Sequence, residues 1–278
     1  MGARSYDDLD RPPLDANTLT PRLVRPGTWW RSITVLASTE STNADLAARA
    51  RQDAPEGTAI VADHQDAGRG RLGRAWAFPE RSGIALSMLV RPDTVPAERW
   101  PWLPLLSGIA VHEAVSEATG VATELKWPND VLVDGRKLAG ILVERVETPT
   151  GPAAIVGVGL NVSLSAAELP VDTATSLAIE GATTTDRSVL VRALMRAFEP
   201  VYRAWAAAEG DSSEGMLDSY VRRCATVGQE VDVQLPDGSR LSGAAEAVDS
   251  AGRLIVADAR GERHALNAGD VVHVRPQP

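Results

Sequence analysis

Lys126-Trp127-Pro128-Asn129-Asp130-Val131-Leu132-Val133-Asp134-Gly135-Arg136-Lys137-Leu138-Ala139-Gly140-Ile141-Leu142-Val143-Glu144 is the stretch from which the rest of the chain can be read. Asp134-Gly135 is a strong two-residue hairpin signal, because the favoured turn needs residues that tolerate positive φ at both central positions. It joins a strand candidate at 131–133 to a returning strand at 137–144, and 121–126 reads as another strand just before them. Such a hairpin brings Lys126 and Lys137 into one neighbourhood with Asp130 between them. Taken alone, Pro128-Asn129-Asp130 is ordinary turn chemistry, and both lysines are consistent with solvated positions.

Outward from this hairpin, the upstream chain alternates strands and helices. Residues 33–36, 58–62 and 84–90 read as short apolar strands. Thr42 followed by Asp45 resembles a capping box, ahead of an Ala-rich helix at 45–51. Leu106, Ala110, Val111, Ala114, Val115 and Ala118 fall at helical spacing, with Gly120 as the stop. Downstream, 154–162 is a strand with Gly157 and Gly159 inside it, and 186–208 is a long amphipathic helix. Beyond Cys224 the texture changes. Short strands at 230–235, 240–247, 254–258, 263–266 and 271–274, punctuated by Gly and Asp turns, predict a small β-barrel of SH3 or OB type, with a boundary near residue 226. Residues 1–28 carry Asp7, Asp8, Asp10 and Asp15 and four prolines, and read as a disordered or loosely draped extension.

The 278 residues suit about two domains. With 44% hydrophobic and 23% charged residues, the chain is neither disordered nor fibrous overall. A net charge of −9 argues against coating a nucleic acid, which needs many phosphate contacts. One cysteine excludes an internal disulfide, and no apolar run is long enough for a membrane helix. The N-terminus lacks the apolar core of a secretory signal, so a cytoplasmic location is expected. The four histidines are scattered without an H-E-x-x-H pattern, and no intrinsic metal site is expected.

Against that acidic background, Gly68-Arg69-Gly70-Arg71-Leu72-Gly73-Arg74-Ala75-Trp76 carries three arginines and no acid. Glycines let backbone approach a ligand closely, and arginines give charge-assisted bonds to carboxylate or phosphate. The segment sits in a stretch, 63–83, with almost no periodicity, which is long for a loop without function. It is not a Walker A loop. It matches G-x-G-x-x-G, but no helix follows, which speaks against a dinucleotide fingerprint. Interior glycines such as Gly157 and Gly159 weaken a strand and commonly mark a close ligand, a close backbone or a bulge.

Five ordered blocks together resemble the biotin–protein ligase (biotin–[acetyl-CoA-carboxylase] ligase) family. They are Glu40-Ser41-Thr42-Asn43, the stretch from Gln65 through the Arg-Gly-Arg loop to Trp76, Lys126-Trp127-Pro128-Asn129-Asp130, the strand from Arg136 to Glu144, and Gly157-Val158-Gly159-Leu160-Asn161. The resemblance implies an α+β catalytic domain at 29–225, a mixed sheet with flanking helices of the class II synthetase-like kind. An SH3-like C-terminal domain at 226–278 would follow. It implies activation of biotin with ATP and Mg²⁺ to biotinyl-5′-AMP, then transfer to a lysine of the biotin carboxyl carrier domain of an acyl-CoA carboxylase. No nucleic acid or membrane partner is implied, and the expected state is a monomer or weak homodimer. Only about 30 residues precede the first strand, so the resemblance is to the form without a winged helix-turn-helix.

By the family pattern, Ser41, Thr42, Asn43, Gln65, Gly68, Arg69, Gly70, Arg71, Lys137, Gly140, Gly157 and Gly159 would bind biotin. Arg69, Arg71, Arg74, Trp76, Lys126, Asn129 and Asn161 would meet ATP, and Lys137, Arg69, Lys126 and Asp130 would carry catalysis. Asp130 is the candidate base for the carrier lysine, or else orients Lys137 or binds the carrier. The loop after Asn161 would close over adenine, although it contains no aromatic residue for stacking. Two other readings are a lipoate/octanoate ligase, which would not need polar groups for a ureido ring, and a non-catalytic small-molecule-binding regulator, for which no DNA-reading element is found.

Overall fold

The computed structural model describes residues 11–213, 215–235, 237–267 and 270–273. The chain builds a seven-stranded sheet, ordered β1-β2-β3-β7-β6-β5-β4, and a separate five-stranded antiparallel sheet, ordered β11-β10-β9-β8-β12. The first sheet comprises β1 (Ser32–Leu36), β2 (Thr58–Ala62), β3 (Gly83–Val90), β4 (Glu124–Lys126), β5 (Asp130–Val133), β6 (Arg136–Thr148) and β7 (Gly151–Asn161). Only β1 and β2 run parallel, so the sheet is mixed, as expected for an α+β catalytic domain.

Strand alternation gives the sheet two unlike faces. Ala154, Val156, Val158 and Leu160 of β7, with Ile84, Leu86 and Met88 of β3, belong to the main core. That core includes residues of α3 (Trp102–Thr119) and α4 (Arg187–Ala207), whose apolar stripes are Leu106, Ile109, Val111 and Val115, and Leu190, Leu194, Phe198 and Trp205. The intervening residues of β7, Ile155, Gly157, Gly159 and Asn161, point to the opposite face. There α2 (Thr42–Ala50) covers one end through Leu46 and Ala50 against Ile60, Leu89 and Ile155. The other end is floored by small residues and carries the site.

The second sheet consists of β8 (Glu230–Gln234), β9 (Arg240–Val248), β10 (Leu254–Ala257), β11 (Arg263–Leu266) and β12 (Asp270–His273). It agrees with the SH3-like expectation; Val274, the last residue of the expected fifth strand, lies outside the described residues. Two buried tryptophans dock it. Trp102 Nε1 donates to Ser250 O at 2.7 Å and Trp127 Nε1 to Gly252 O at 3.0 Å. Trp127, which sits inside a motif, is thus a buried link between the two sheets.

Two expectations need correction. The extension was expected to be loose through residue 28. Residues 1–10 lie outside the described residues, but Ala16–Leu23 forms α1, capped by Asp15, whose carboxylate accepts from Asn17 N at 2.9 Å. Leu19 and Leu23, four apart and hence on one face, are buried in the main core. That two-residue stripe was too short to register as periodicity beside Pro21. Further along, the helix before β2 starts at Thr42 rather than Asp45, because Ser41 is its N-cap. Asp45 bonds Thr39 Oγ1 at 2.5 Å instead of closing a box with Thr42. The remaining helix, α5 (Met216–Val221), precedes the second sheet.

Candidate active site

One row of residues crosses the sheet in register. Ala62 pairs with Ala85, Ala85 with Gly159, Gly159 with Gly140, Gly140 with Asp130, and Asp130 with Lys126. Directly paired residues project to the same face. The row is therefore a smooth floor of small residues ending in an acid and a cation. A bulge between Val131 and Leu132 in the β5–β6 pairing sets Lys137, rather than Leu138, opposite Leu132. From there Lys137 Nζ reaches Asp130 Oδ1 at 2.6 Å and lies 5.5 Å from the centre of the Trp76 ring.

The glycines are required by what lies on them. A Cβ on Gly140 would come within 3.2 Å of both Lys137 Cε and Trp76 Cζ3. One on Gly159 would overlap the Trp76 indole, and one on Gly157 would overlap the Asn43 amide. The floor that the sequence assigns to biotin is thus covered by Trp76, which was placed among the ATP contacts. Trp76 Nε1 is buried there without a hydrogen-bond partner. An unmet buried donor of this kind costs about 1–3 kcal/mol, which a ligand acceptor would recover.

The basic segment is a small hairpin. Trp76 N donates to Gly68 O at 2.8 Å and Gly70 N to Arg74 O at 2.7 Å, with Arg69 and Ala75 bridged. Its tip turns through Leu72 and Gly73, both at positive φ, and leaves Leu72 exposed. Arg69 and Arg74 are exposed on the hairpin, whereas Arg71 Nη1 donates to Asn129 Oδ1 at 3.1 Å. That bond draws the segment toward the β4–β5 turn, where Asn129 Nδ2 also donates to Ile141 O at 2.8 Å. Lys126, Asn129, Asp130 and Lys137 are accordingly brought together, as expected from the sequence.

At the other end of the floor, Gln65 Oε1 accepts from Thr42 N at 2.9 Å and Thr42 Oγ1 at 3.0 Å. Ser87 Oγ lies 2.8 Å from Thr42 Oγ1 and 2.6 Å from Asn43 Oδ1. Asn43 Nδ2 donates to Glu144 Oε2 at 2.7 Å. Asn43, Thr42, Gln65 and Ser87 thus form one hydrogen-bonded network at this end of the floor, with the Asn43 amide over Gly157. Ser41 serves chiefly as the helix cap. Ser87 and Glu144 were absent from the sequence-derived set; their place on the glycine-bearing face was the signal available.

The loop after β7 is an outer wall. Lys137 N donates to Thr173 O at 2.7 Å and Thr175 N to Lys137 O at 2.9 Å, so this loop pairs with the start of β6. Asn161 Nδ2 donates to Thr175 O at 2.9 Å, which makes Asn161 an anchor of that wall. A satellite cluster of Phe78, Ala85 and Leu164, with Trp76 and Leu169 against it, joins the wall to the basic loop. The donors here are lysine, arginine and amides, which suit anionic oxygens. Among the described residues, the trio with cation-type spacing is Asp258, Glu262 and His264, on the β10–β11 hairpin of the second sheet.

The fold and its site fall in the class of biotin and lipoate ligases, on the match of two family models. The profile described as "Biotin/lipoate A/B protein ligase family" matches residues 35–161, and "Biotin protein ligase C terminal domain" matches 226–274. The chain is 43% identical over 272 residues to a biotin–[acetyl-CoA-carboxylase] ligase of Mycobacterium tuberculosis, covering 96% of this chain and 98% of that one. A ligase with the same description from Paracoccus denitrificans is 30% identical, covering 85% and 98%. Among solved structures, the biotin protein ligase from Aquifex aeolicus in complex with biotin and ATP superposes with a TM-score of 0.74 at 26% identity, covering 89% of this chain and 100% of that one.

The chain belongs to the biotin protein ligase family. Biotin, rather than lipoate or octanoate, and an enzyme rather than a silent regulator, are the readings these similarities favour. Among the described residues, no helix is long and apolar enough to cross a membrane.

Proposed function

We propose that this chain activates biotin as biotinyl-5′-AMP and transfers it to a lysine on the carboxyl carrier domain of an acyl-CoA carboxylase, acting in the cytosol as a monomer or weak homodimer. The observation that carries this reading is the row Gly159–Gly140–Asp130–Lys126, with Lys137 and Trp76 standing over it. In the first step, a biotin carboxylate oxygen attacks the α-phosphorus of ATP. A new O–P bond forms and the bond to pyrophosphate breaks. Like charges must meet, so fixed cations at the reacting oxygens are the main catalytic need. Lys137 would hold the carboxylate and then the acyl-phosphate, with Lys126, Arg69, Arg71 and Arg74 toward the phosphates. Mg²⁺ would arrive with the triphosphate and supply further charge neutralisation.

Trp76 would form a wall of the biotin pocket, with Thr42 and Gln65 toward the ureido ring. Asp130 lies within 2.6 Å of Lys137, which supports the role of orienting that ammonium. As the carboxylate nearest the reacting groups, it would also receive the proton that the carrier lysine loses. That amine has an ordinary pKa of about 10.4 and must be deprotonated to attack the acyl carbon, from which AMP departs. The carrier has an approach at hand. Past Gly140 no strand pairs β6 on its outer side among the described residues, and an open edge of this kind favours strand addition. A groove of about 390 Å³ follows that edge, from Arg71 and Asn129 past Trp100 and Ile141 to Gly252 and Asn267 of the second sheet.

Intact-mass measurement of a carrier domain incubated with this chain, biotin and Mg-ATP tests the reading. A single ATP-dependent biotin adduct on one lysine, absent with lipoate, is expected. No adduct and no biotin-dependent pyrophosphate release would overturn it.

A further inference from the structure

Residues 11–14, just ahead of α1, are tied down at separate points. Arg11 grips Glu168 with both ends of its guanidinium, Nη1 to Oε1 at 3.0 Å and Nη2 to Oε2 at 2.7 Å, and Nη2 also donates to Ser163 O at 2.8 Å. Pro12 O accepts from Arg187 Nη2 at 2.7 Å. Leu14 N donates to Asp63 Oδ1 at 3.2 Å, and that oxygen lies 2.7 Å from Arg187 Nη1 in a buried ion pair.

These anchors fall on the two loops that make the site. Asp63 follows β2 directly, and its carbonyl accepts from Arg81 N at 3.0 Å, so it closes the neck of the loop carrying Gln65 through Trp76. Ser163 and Glu168 open the wall after Asn161, where Glu168 also accepts from Ser165 N at 2.9 Å. Inside, both loops meet through Trp76, Phe78, Leu164 and Leu169. Outside, residues 11–14 bridge them.

We propose that Arg11–Leu14 is a positioning strap that holds the two ligand loops against each other, and that Arg11 is a positioning residue for adenylate formation and retention. The inference rests on the ligase reading above. Docking of the N-terminal segment does not depend on Arg11, because Leu19 and Leu23 of α1 already bury themselves in the main core. Arg11 is partly exposed, so its removal empties no core space. Its guanidinium, with the Ser165 amide, holds the Glu168 carboxyl below its ordinary 4.5, at about 2. A bidentate guanidinium–carboxylate pair fixes direction as well as distance, which a lone ammonium does less well.

The test uses the full chain with biotin, Mg-ATP and a carrier domain, and compares Arg11→Ala, Arg11→Lys and Glu168→Gln with the parent. Arg11→Ala is expected to raise KM for ATP and for biotin, and to speed release of preformed biotinyl-AMP, by about fivefold or more. KM for the carrier should hold, and the melting temperature should fall by no more than one partly exposed ion pair contributes. Arg11→Lys should recover part of the loss, and adding Glu168→Gln to Arg11→Ala should cost nothing further. Adenylate release and both KM values within twofold of the parent would overturn the strap. A fall in melting temperature with every kinetic parameter lowered alike would assign Arg11 a structural role and overturn it as well. Failure of the parent itself to form biotinyl-AMP would instead refute the ligase reading, and the strap with it.

Discussion

The two faces of the seven-stranded sheet are built from alternate residues of the same strands, yet they solve different problems. In β7, Val156, Val158 and Leu160 belong to the main core, which also takes in residues of α3 and α4. Gly157 and Gly159, interleaved with them, exist to leave space, and the Asn43 amide and the Trp76 indole lie where their side chains would be. One face converts apolar area into stability. The other gives up that area, holds charge and keeps a buried indole N–H without a partner. The lesson is that a period-two sequence can separate stability from chemistry residue by residue.

The largest effect should come from the charged end of the site face. Lys137→Ala should slow biotin-dependent pyrophosphate release by about a thousandfold, in the range of losing a key transition-state donor. The melting temperature should barely move, since Lys137 is partly exposed. Near-parental adenylation would break the contrast. Next come neighbours on one strand. Gly159→Val should displace Trp76 and weaken biotin binding by about a hundredfold in calorimetry, roughly 2.7 kcal/mol, with the fold retained. Leu160→Ala should do the reverse, costing about 2–5 kcal/mol of unfolding free energy while folded molecules keep their affinity. Equal effects of both changes on stability and binding would show that the faces are not separable.

The smallest effect is a pH dependence at the rim. The Glu168 carboxyl is lowered from an ordinary 4.5 to about 2, chiefly by its bond to Arg11. A depressed carboxylate contributes above its unfolded value, and that contribution is lost as pH falls from about 4.5 toward about 2. Glu168→Gln should therefore flatten acid sensitivity in that window, read as melting temperature against pH. An unchanged profile would remove the tether from the account.

Much of this was legible in the sequence, for identifiable reasons. The Asp134-Gly135 turn places β5 against β6, and the apolar runs of β2, β3 and β7 read directly as strands. The grouping of Lys126, Asp130 and Lys137 follows from that turn. What stayed hidden depends on distant packing. Nothing local says that Trp76 folds back over Gly159, or that Trp127 turns away to reach Gly252, 125 residues on. The bond from Asn43 to Glu144 likewise joins residues 101 apart. The N-terminal segment looked featureless because Leu19 and Leu23 are a stripe of only two, and because Arg11 finds its partners 152 and 157 residues away.

The row of paired residues across the sheet also acts as a ruler. Neighbouring strands stand about 4.8 Å apart, so Gly159, Gly140, Asp130 and Lys126 mark off about 14 Å in three even steps. A molecule that touches the indole seat at one end and Lys126 at the other must lie across the strands, not along one of them. For a ligand seated so, tail length would set which step its acid reaches, and strand spacing, which a side-chain substitution does not redraw, would gauge chain length.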